Sequence, residues 1–327
     1  MSGATIVPMG PLLCLLSAAC FGAMAIFGKL AYDADVGVGD LLLVRFALAA
    51  AVLVTVAGVR GALRGLPRRA MLAGLAMGAI GYAAQSGLYF GALERMDASL
   101  LALILYVYPA TVLLAAVALG RERATPRRAV ALVVALAGIA LVLGSAASGG
   151  LDALGTAMGL GAALTYTAYI LVGDRLTVPP LALAALVCAG ATLTFGLASL
   201  PSGGPDLTFS ADGWLAIGGI VVVSTVGAIL LFFAGLARVG PSGASILSTL
   251  EPVVTVALAA AAFGESLSPL QLLGGALVLS AVVVMQWPAR GAGVGLRSWG
   301  TAAAGSERAL PARQPPAAAA GSANGGH

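Results

Sequence analysis

Two pairs of neighbouring residues in the apolar part of the chain combine a chemically useful side chain with a proline. Glu251 precedes Pro252 in ILSTLEPVVTV, and Tyr108 precedes Pro109 in LYVYPATV. Glu251 falls ten residues into a helix predicted over 241–263, so it lies about 15 Å deep, near the middle of a hydrocarbon layer about 30 Å thick. A charged carboxylate facing lipid there costs on the order of 3 kcal/mol. We therefore predict that Glu251 faces the bundle interior or a watery cavity.

At Glu251 and Pro252 the sequence predicts two features: a carboxyl group that couples proton movement to transport, and a backbone carbonyl without its helical hydrogen bond. A carboxyl group that gains and loses a proton as a gate opens can couple proton movement to substrate movement. Pro252 removes a backbone donor and frees a carbonyl one turn earlier, where it can line a cavity. The alternative for Glu251 is a protonated side chain that only binds a neighbouring helix. For Tyr108 and Pro109 the alternatives are a binding site, in which the tyrosine offers a stacking face and a hydroxyl where the other copy offers a carboxylate, and a plain helix kink.

Other polar and aromatic side chains share helix faces with this site. The predicted lining residues are Tyr82, Gln85 and Tyr89 on the third helix, Tyr166 and Tyr169 on the sixth, and Ser248 one turn before Glu251. Rings and hydroxyls of this kind could bind a small molecule. An interfacial aromatic belt is the alternative for Tyr89 and the preferred interpretation for Tyr106.

Several charged residues lie near predicted helix ends. Lys29 and Arg45 are within a turn or two of the outer ends of their helices, so their side chains could extend to the membrane surface. Glu122 and Glu265 stand beside loops, where we expect helix caps or contacts that fix the loops.

Composition decides which elements must position these residues. The 327 residues are 60% hydrophobic and 9% charged, with a mean hydropathy of +1.02, which is typical of an all-α integral membrane protein. The net charge of +4 is spread along the chain, so no nucleic-acid partner is predicted. The single histidine is His327 and the three cysteines fall in apolar runs, so no metal site or other cofactor is predicted. A glycine-rich phosphate loop is also missing from the sequence.

Ten apolar segments are long enough to span a bilayer. They cover roughly 9–30, 40–59, 70–91, 98–119, 128–146, 154–173, 180–199, 212–234, 241–263 and 269–287. With both termini in the cytoplasm, most arginines fall on the inner side, as the positive-inside rule requires. We expect a bacterial cytoplasmic membrane, and a disordered cytoplasmic tail over 288–327.

The chain also repeats itself at an offset of 143 residues. LERMDAS and YVYPATVLLAAVALGRERATP align without a gap with LARVGPS and TLEPVVTVALAAAAFGESLSP, so that Pro109 meets Pro252 and Glu122 meets Glu265. Each copy has five helices, an odd number, so the second copy must be inverted relative to the first. We predict one repeat over 1–146 and another over 154–287.

These motifs resemble the two copies of the EamA domain in the drug/metabolite transporter superfamily. The resemblance extends to FGAMAIFGKLA in the first helix, the Arg45–Phe46 pair in the second and ALTYTAYILVGDRL in the sixth. It implies ten helices around a central cavity, with Lys29 toward the cavity mouth. It also implies export or exchange of small metabolites.

The function predicted on this basis is secondary active transport of an amino acid or related amine by alternating access, with small-molecule substrate, lipid and protons as partners. An exporter of drugs or lipids is the alternative with the same fold. A membrane-embedded enzyme would need paired acids on facing helices, but Asp33 and Asp40 fall in one short outer segment. A non-transporting membrane protein would need larger loops. The small-residue motifs GxxxG at 74–78, 87–91 and 155–159 permit close helix contacts and leave a homodimer open.

Overall fold

The computed structural model describes residues 9–121, 125–147 and 152–286. Every regular element in this part of the chain is a helix, and none is a strand. An apolar chain in lipid must satisfy its own backbone donors and acceptors, which helices do internally. The predicted tail over 288–327, and Glu122 with its predicted cap, lie outside the described residues.

The helices of the first half are separated by short turns and one π-helical turn at Met77–Tyr82. They are α1 (Met9–Gly22), α2 (Met24–Asp33), α3 (Val38–Val59), α4 (Arg68–Ala76), α5 (Ala83–Leu93), α6 (Ala98–Leu105), α7 (Tyr108–Ala118) and α8 (Pro126–Ala147).

The second half contains a second π-helical turn at Ile220–Gly227 and a 3-10 turn at Leu200–Ser202. Its helices are α9 (Ala153–Gly173), α10 (Pro180–Ser199), α11 (Ala211–Gly219), α12 (Ala228–Ser248), α13 (Leu250–Phe263) and α14 (Pro269–Gln286). Local chemistry sets several ends. Ser210 caps α11 by accepting from the Gly213 amide at 3.2 Å. Gly264, with φ of +67°, ends α13 in the left-handed conformation that glycine adopts without strain.

Six helical segments of the described chain are long and apolar enough to cross a membrane. They are Met9–Asp33, Val38–Val59, Ala98–Ala118, Ala153–Gly173, Pro180–Ser202 and Ala211–Val239, and three shorter apolar helices cover Ala129–Ser145, Leu250–Phe263 and Pro269–Val284. The predicted third span, 70–91, is helical but is not among them. Gln85, two tyrosines and several glycines lower its hydropathy. The prediction of ten membrane helices is thus met in part.

The boundaries of the elements repeat at the offset found in the sequence. With 143 residues added, α4 falls on α11 end to end, the first π turn begins where the second does, and the start of α8 falls on the start of α14. A π turn is rare, and its recurrence at the same place in both copies is hard to attribute to composition alone. The two halves of the chain are therefore repeats in structure as well as in sequence.

Equivalent helices of the two copies pack against each other in opposite directions. The guanidinium of Arg127, at the start of α8, donates to the carbonyl of Val284, near the end of α14, at 2.7 Å. Midway along, a Cβ placed on Gly138 would lie 2.6 Å from the Gly274 carbonyl oxygen, so the two backbones touch there. A helix and its copy that run antiparallel are what an inverted repeat produces.

Another equivalent pair, α3 and α10, packs together within the largest apolar core. Phe46 of α3 stacks on Phe195 of α10 with ring centroids 5.9 Å apart. The glycine motif at 74–78 serves this packing, because Gly74 lies against Leu186 and Gly78 lies against the backbone of Val187, both on α10. These glycines are used for contacts within one chain.

Two helix breaks lie at equivalent places, before Pro109 and before Pro252. The first separates α6 from α7, and the second separates α12 from α13 at Thr249. Proline lacks an amide hydrogen, so it is tolerated in the first turn of a helix and disrupts its interior. At each predicted kink the helix ends and a new helix begins.

The structure departs from the predicted helix limits in two places. The first span is interrupted at Ala23, between α1 and α2. The ninth span was expected to begin at 241 after a loop, but α12 continues to Ser248. In the first copy Asp97 has extended backbone and begins α6, whereas its counterpart is Gly240 and the helix runs through it.

Candidate functional site

Glu251 lies in the first turn of α13, close to the helix break. The hydroxyl of Tyr106 is 3.4 Å from its carboxylate Oε2 and donates to the carbonyl oxygen of Ser248 at 2.8 Å. Ser248 is four residues before Pro252, so its carbonyl is the one that the proline leaves without an amide partner. The opened backbone predicted from the sequence is therefore present, and a tyrosine from the other repeat occupies it.

The backbone of Glu251 is pressed against α1. A Cβ on Gly22 would lie 2.7 Å from the Glu251 carbonyl oxygen. The hydroxyl of Thr255 lies between the two helices, 2.9 Å from the Gly22 carbonyl and 3.1 Å from the Glu251 carbonyl. This close approach fixes the start of α13 relative to the first helix.

Five tyrosines form a continuous series of ring contacts that begins beside Glu251; we call it the tyrosine array. Its ring centroids are separated by 5.8 Å (Tyr106–Tyr108), 4.7 Å (Tyr108–Tyr166), 6.0 Å (Tyr166–Tyr169) and 5.4 Å (Tyr169–Tyr82). The first copy supplies three of these rings and the second copy supplies two. The array therefore lies at the contact between the repeats.

Most of these groups keep part of their surface exposed. Glu251, Tyr82, Tyr108, Tyr166 and Tyr169 are each half-buried, although they come from different helices and point toward one another. Two surface cavities lie away from these residues: one of about 590 Å³ between α2 and α11, and one on α8.

The remaining predicted lining residues lie outside these contacts. The Ser248 hydroxyl donates to the Ala244 carbonyl of its own helix at 3.0 Å, so Ser248 contributes its carbonyl to the site and not its hydroxyl. Gln85 is buried and accepts from the neighbouring Ser86 hydroxyl at 3.3 Å. Tyr89 packs edge to face on Phe90.

Lys29 belongs to a separate group, at the ends of the helices that are predicted to face outward. Its ammonium is 3.0 Å from Glu265, whose two carboxylate oxygens also accept from the amides of Ala98 and Ser99 at 3.0 and 2.9 Å. We call this group of four the outer clamp. It joins α2 and the start of α6 to the loop between α13 and α14, and it confirms the expectation that Glu265 caps a helix.

Electrostatics favour the charged form of Glu265. Burial opposes that charge, but the amide of Ser99, together with Lys29 and the amide of Ala98, outweighs burial and holds the pKa of Glu265 below its usual range. The clamp is thus an ion pair reinforced by a helix N-terminus.

Two residues were misplaced by the sequence prediction. Tyr106 was assigned to the membrane interface, but it is 4% exposed and contacts Glu251. Arg45 was expected to extend to the membrane surface, but it is 1% exposed and its guanidinium lies over the rings of Phe46 and Phe90. One feature of the sequence points to Tyr106, namely its position two residues before Tyr108 in YVYP.

A polar contact between α7 and α9 also went unpredicted. The hydroxyls of Thr111 and Thr167 are 2.6 Å apart beside the array. Among the described residues no cluster of three or more His, Cys, Asp or Glu side chains could hold a metal ion.

Known proteins resemble this chain over most of its length. Residues 8–144 and 153–287 each match the model of the EamA-like transporter family. An uncharacterized transporter of Archaeoglobus fulgidus is 28% identical over 205 residues, which cover 60% of this chain and 70% of that protein. The uncharacterized transporter YwfM of Bacillus subtilis is 32% identical over 160 residues, which cover 48% of this chain and 53% of that protein. A solved crystal structure with 21% identity and a TM-score of 0.62 covers 84% of this chain and 96% of its own.

Proposed function

The chain belongs to the EamA-like transporter family, and from this premise we propose that it is a secondary active transporter of small metabolites. Family and relatives point to a transporter and away from an enzyme. Its apolar helices make it an integral membrane protein. Its energy comes from a proton gradient or from substrate exchange.

The proposed architecture has ten membrane helices in two inverted five-helix repeats, over 1–146 and 154–287, with both termini in the cytoplasm of a bacterium. The antiparallel packing of α8 on α14 supports the inversion. The arginine-rich segment at 121–128 and the arginine-free segment at 264–268 occupy equivalent places in the two copies, which supports opposite sides of the membrane. Two halves related in this way can rock about a site between them.

The observation that carries the proposal is the contact between Glu251 and the tyrosine array. A carboxyl group in the membrane interior, beside rings from both repeats, meets the chemical needs of a coupling site. Rocking of the repeats would change the contacts of Glu251 with Tyr106, and so would change how readily it holds a proton.

The substrate class follows from the same side chains. Tyrosine faces bind apolar and aromatic groups and attract cations, and a carboxylate pairs with an amine. An amino acid or a related amine fits this combination, moved outward or exchanged. A drug or lipid exporter would use the same rings, and it is favoured only if no amino acid or amine is transported.

Uptake into proteoliposomes tests the proposal. Purified protein is reconstituted with an imposed pH gradient and supplied with a panel of radiolabelled amino acids and amines. We expect gradient-driven transport of at least one of them by the wild type, and none by Glu251→Gln. The matched control is Glu94→Gln, an exposed glutamate near the end of the third predicted span, which should transport normally.

The variant must also insert and fold, which gel filtration and thermal unfolding would establish. Wild-type transport rates in a folded Glu251→Gln variant would remove the coupling role, even though the fold and family would stand.

A further inference from the structure

Arg45 is a permanent charge sealed within the bundle. It lies seven residues into α3, about 10 Å along the helix from its outer end, and is 1% exposed. A guanidinium keeps its proton in proteins, so this side chain cannot escape the cost of burial by becoming neutral. The surroundings must supply a compensating charge or a full set of acceptors.

The described residues supply neutral acceptors but no ion pair. The Nε of Arg45 donates to the hydroxyl of Thr225 at 3.1 Å, and the guanidinium carbon lies 4.9 Å and 5.3 Å from the ring centroids of Phe46 and Phe90. The ion pairs found in the described part of the chain involve Lys29 and Arg95, not Arg45. Two aromatic faces and the hydroxyls of Thr225 and Tyr82 carry no net charge, so they offset only part of the cost of a buried cation.

The two π turns meet at this arginine. Thr225, in the second turn, is the repeat equivalent of Tyr82, in the first. Thr225 binds Arg45, while the Tyr82 ring lies 5.5 Å from that of Phe46. π turns are found frequently at functional sites. Arg45 is therefore connected, directly through Tyr82 and also through Phe46, to the end of the tyrosine array that lies away from Glu251.

We propose that Arg45 binds the carboxylate of the transported substrate, with Thr225 orienting the guanidinium. This inference rests on the proposed transport function and narrows its substrate class to carboxylate-bearing metabolites such as amino acids, at the expense of simple amines. The planar guanidinium fork matches a carboxylate in a bidentate pair. One guanidinium balances one negative charge, whereas a phosphate group carries close to two, so a carboxylate fits better than a phosphate.

Arginine labelling tests the proposal without a mutation and without knowledge of the substrate. Full-length wild-type protein in nanodiscs is treated with phenylglyoxal, which reacts with guanidinium groups, and modification is measured peptide by peptide by mass spectrometry. Acetate, L-alanine and L-phenylalanine are compared with acetamide, L-alaninamide and L-phenylalaninamide, in which only the carboxylate is lost. Inorganic phosphate at equal ionic strength is the further probe.

We expect at least one carboxylate to slow modification of Arg45 by about tenfold, as a charge-assisted bidentate pair allows, while its amide does not. Arg95, whose side chain is 42% exposed, should react equally in every sample. Three outcomes would overturn the proposal: no modification of Arg45 under any condition, equal modification with acids and amides, or protection by phosphate alone.

The Glu251→Gln variant separates this inference from the transport proposal. Carboxylates should still protect Arg45 in that variant, because binding at Arg45 does not require the coupling acid. Loss of gradient-driven transport together with retained protection supports both proposals. Loss of gradient-driven transport in Glu251→Gln, together with no protection of Arg45 by any carboxylate in either protein, would reject the role of Arg45 alone.

Discussion

Tyr106 is the side chain that connects Glu251 to the interruption between α12 and α13. Its hydroxyl reaches the Ser248 carbonyl at 2.8 Å and the Glu251 carboxylate at 3.4 Å, so one donor from the first repeat meets two acceptors in the second. The site therefore depends on a hydrogen bond across the contact between repeats.

Removing that hydroxyl tests the dependence. In Tyr106→Phe the ring can remain in place, while the partly buried Ser248 carbonyl loses its donor, which should cost about 1 kcal/mol of stability. We expect a lower unfolding temperature in detergent and slower substrate transport. Tyr89→Phe is the matched control, since the described part of the chain gives no hydrogen-bond partner for that hydroxyl. Equal unfolding temperatures and transport rates in the two variants would contradict the role of Tyr106.

At the scale of residues, the sequence predicts the position of a side chain correctly where that position depends on depth along a helix. The prediction fails where a turn or tertiary packing redirects the side chain. Glu251 and Pro252 are found beside opened backbone because depth and the missing amide are local properties. Tyr106 is misassigned because the break between α6 and α7, which turns its ring inward, is set by tertiary contacts. Arg45 is misassigned because only packing shows that Phe46 and Phe90 cover it.

At the scale of elements, the outer clamp joins the N-terminus of α6 to a loop of the other repeat. Glu265 is 6% exposed at its side chain, pairs with Lys29 and caps two amides. The contact holds α2 and the start of α6 next to the loop that precedes α14. Such a contact would have to open if the substrate leaves on that side.

The outer clamp predicts the direction in which the stabilising effect of Glu265 changes with pH. The folded pKa of Glu265 is lowered, so its stabilising effect is complete above the ordinary carboxyl pKa of about 4.3 and is lost as pH falls through the folded value. The difference in unfolding temperature between the wild type and Glu265→Gln should be largest at neutral pH and should shrink in acid. Glu94→Gln serves as the exposed control. A difference that stays constant or grows toward acid would contradict the charged clamp.

Helix limits follow from the sequence wherever a cap or a glycine marks them. Asp152 and Ser210 accept from amides in the first turns of α9 and α11, and Gly264 ends α13. The π turns at Met77–Tyr82 and Ile220–Gly227 could not be predicted, because an extra residue in a helical turn leaves the apolar pattern nearly unchanged. The continuity of α12 likewise depends on packing.

At the scale of the whole molecule, the repeat is the feature that sequence predicts best. An ungapped offset aligns Pro109 with Pro252, and the same offset aligns α4 with α11 and the two π turns with each other. The two copies keep the spacing of their structural elements. The offset found from a few matching residues, such as the two prolines, therefore also aligns helices whose sequences show no clear match.

Topology tests the inversion. Two variants each carry a single cysteine, Thr125→Cys or Ser266→Cys, in a background in which Cys14, Cys20 and Cys188 are replaced by alanine. Thr125 and Ser266 lie in equivalent loops of the two copies, and both residues are exposed. With an impermeant maleimide on whole cells, we expect labelling at 266 and none at 125 until the membrane is opened. Labelling of both positions from the same side would exclude inverted copies.

Proton movement in proteoliposomes tests the central claim, that Glu251 couples protons to substrate between two inverted repeats. A pH-sensitive dye trapped inside the vesicles reports protons when a substrate from the uptake panel is added outside without a pH gradient. The wild type and Glu94→Gln should change the internal pH together with substrate flux, and folded Glu251→Gln should leave it unchanged. Substrate-dependent proton flux at the wild-type rate in Glu251→Gln, or substrate flux without protons in the wild type, would contradict the account.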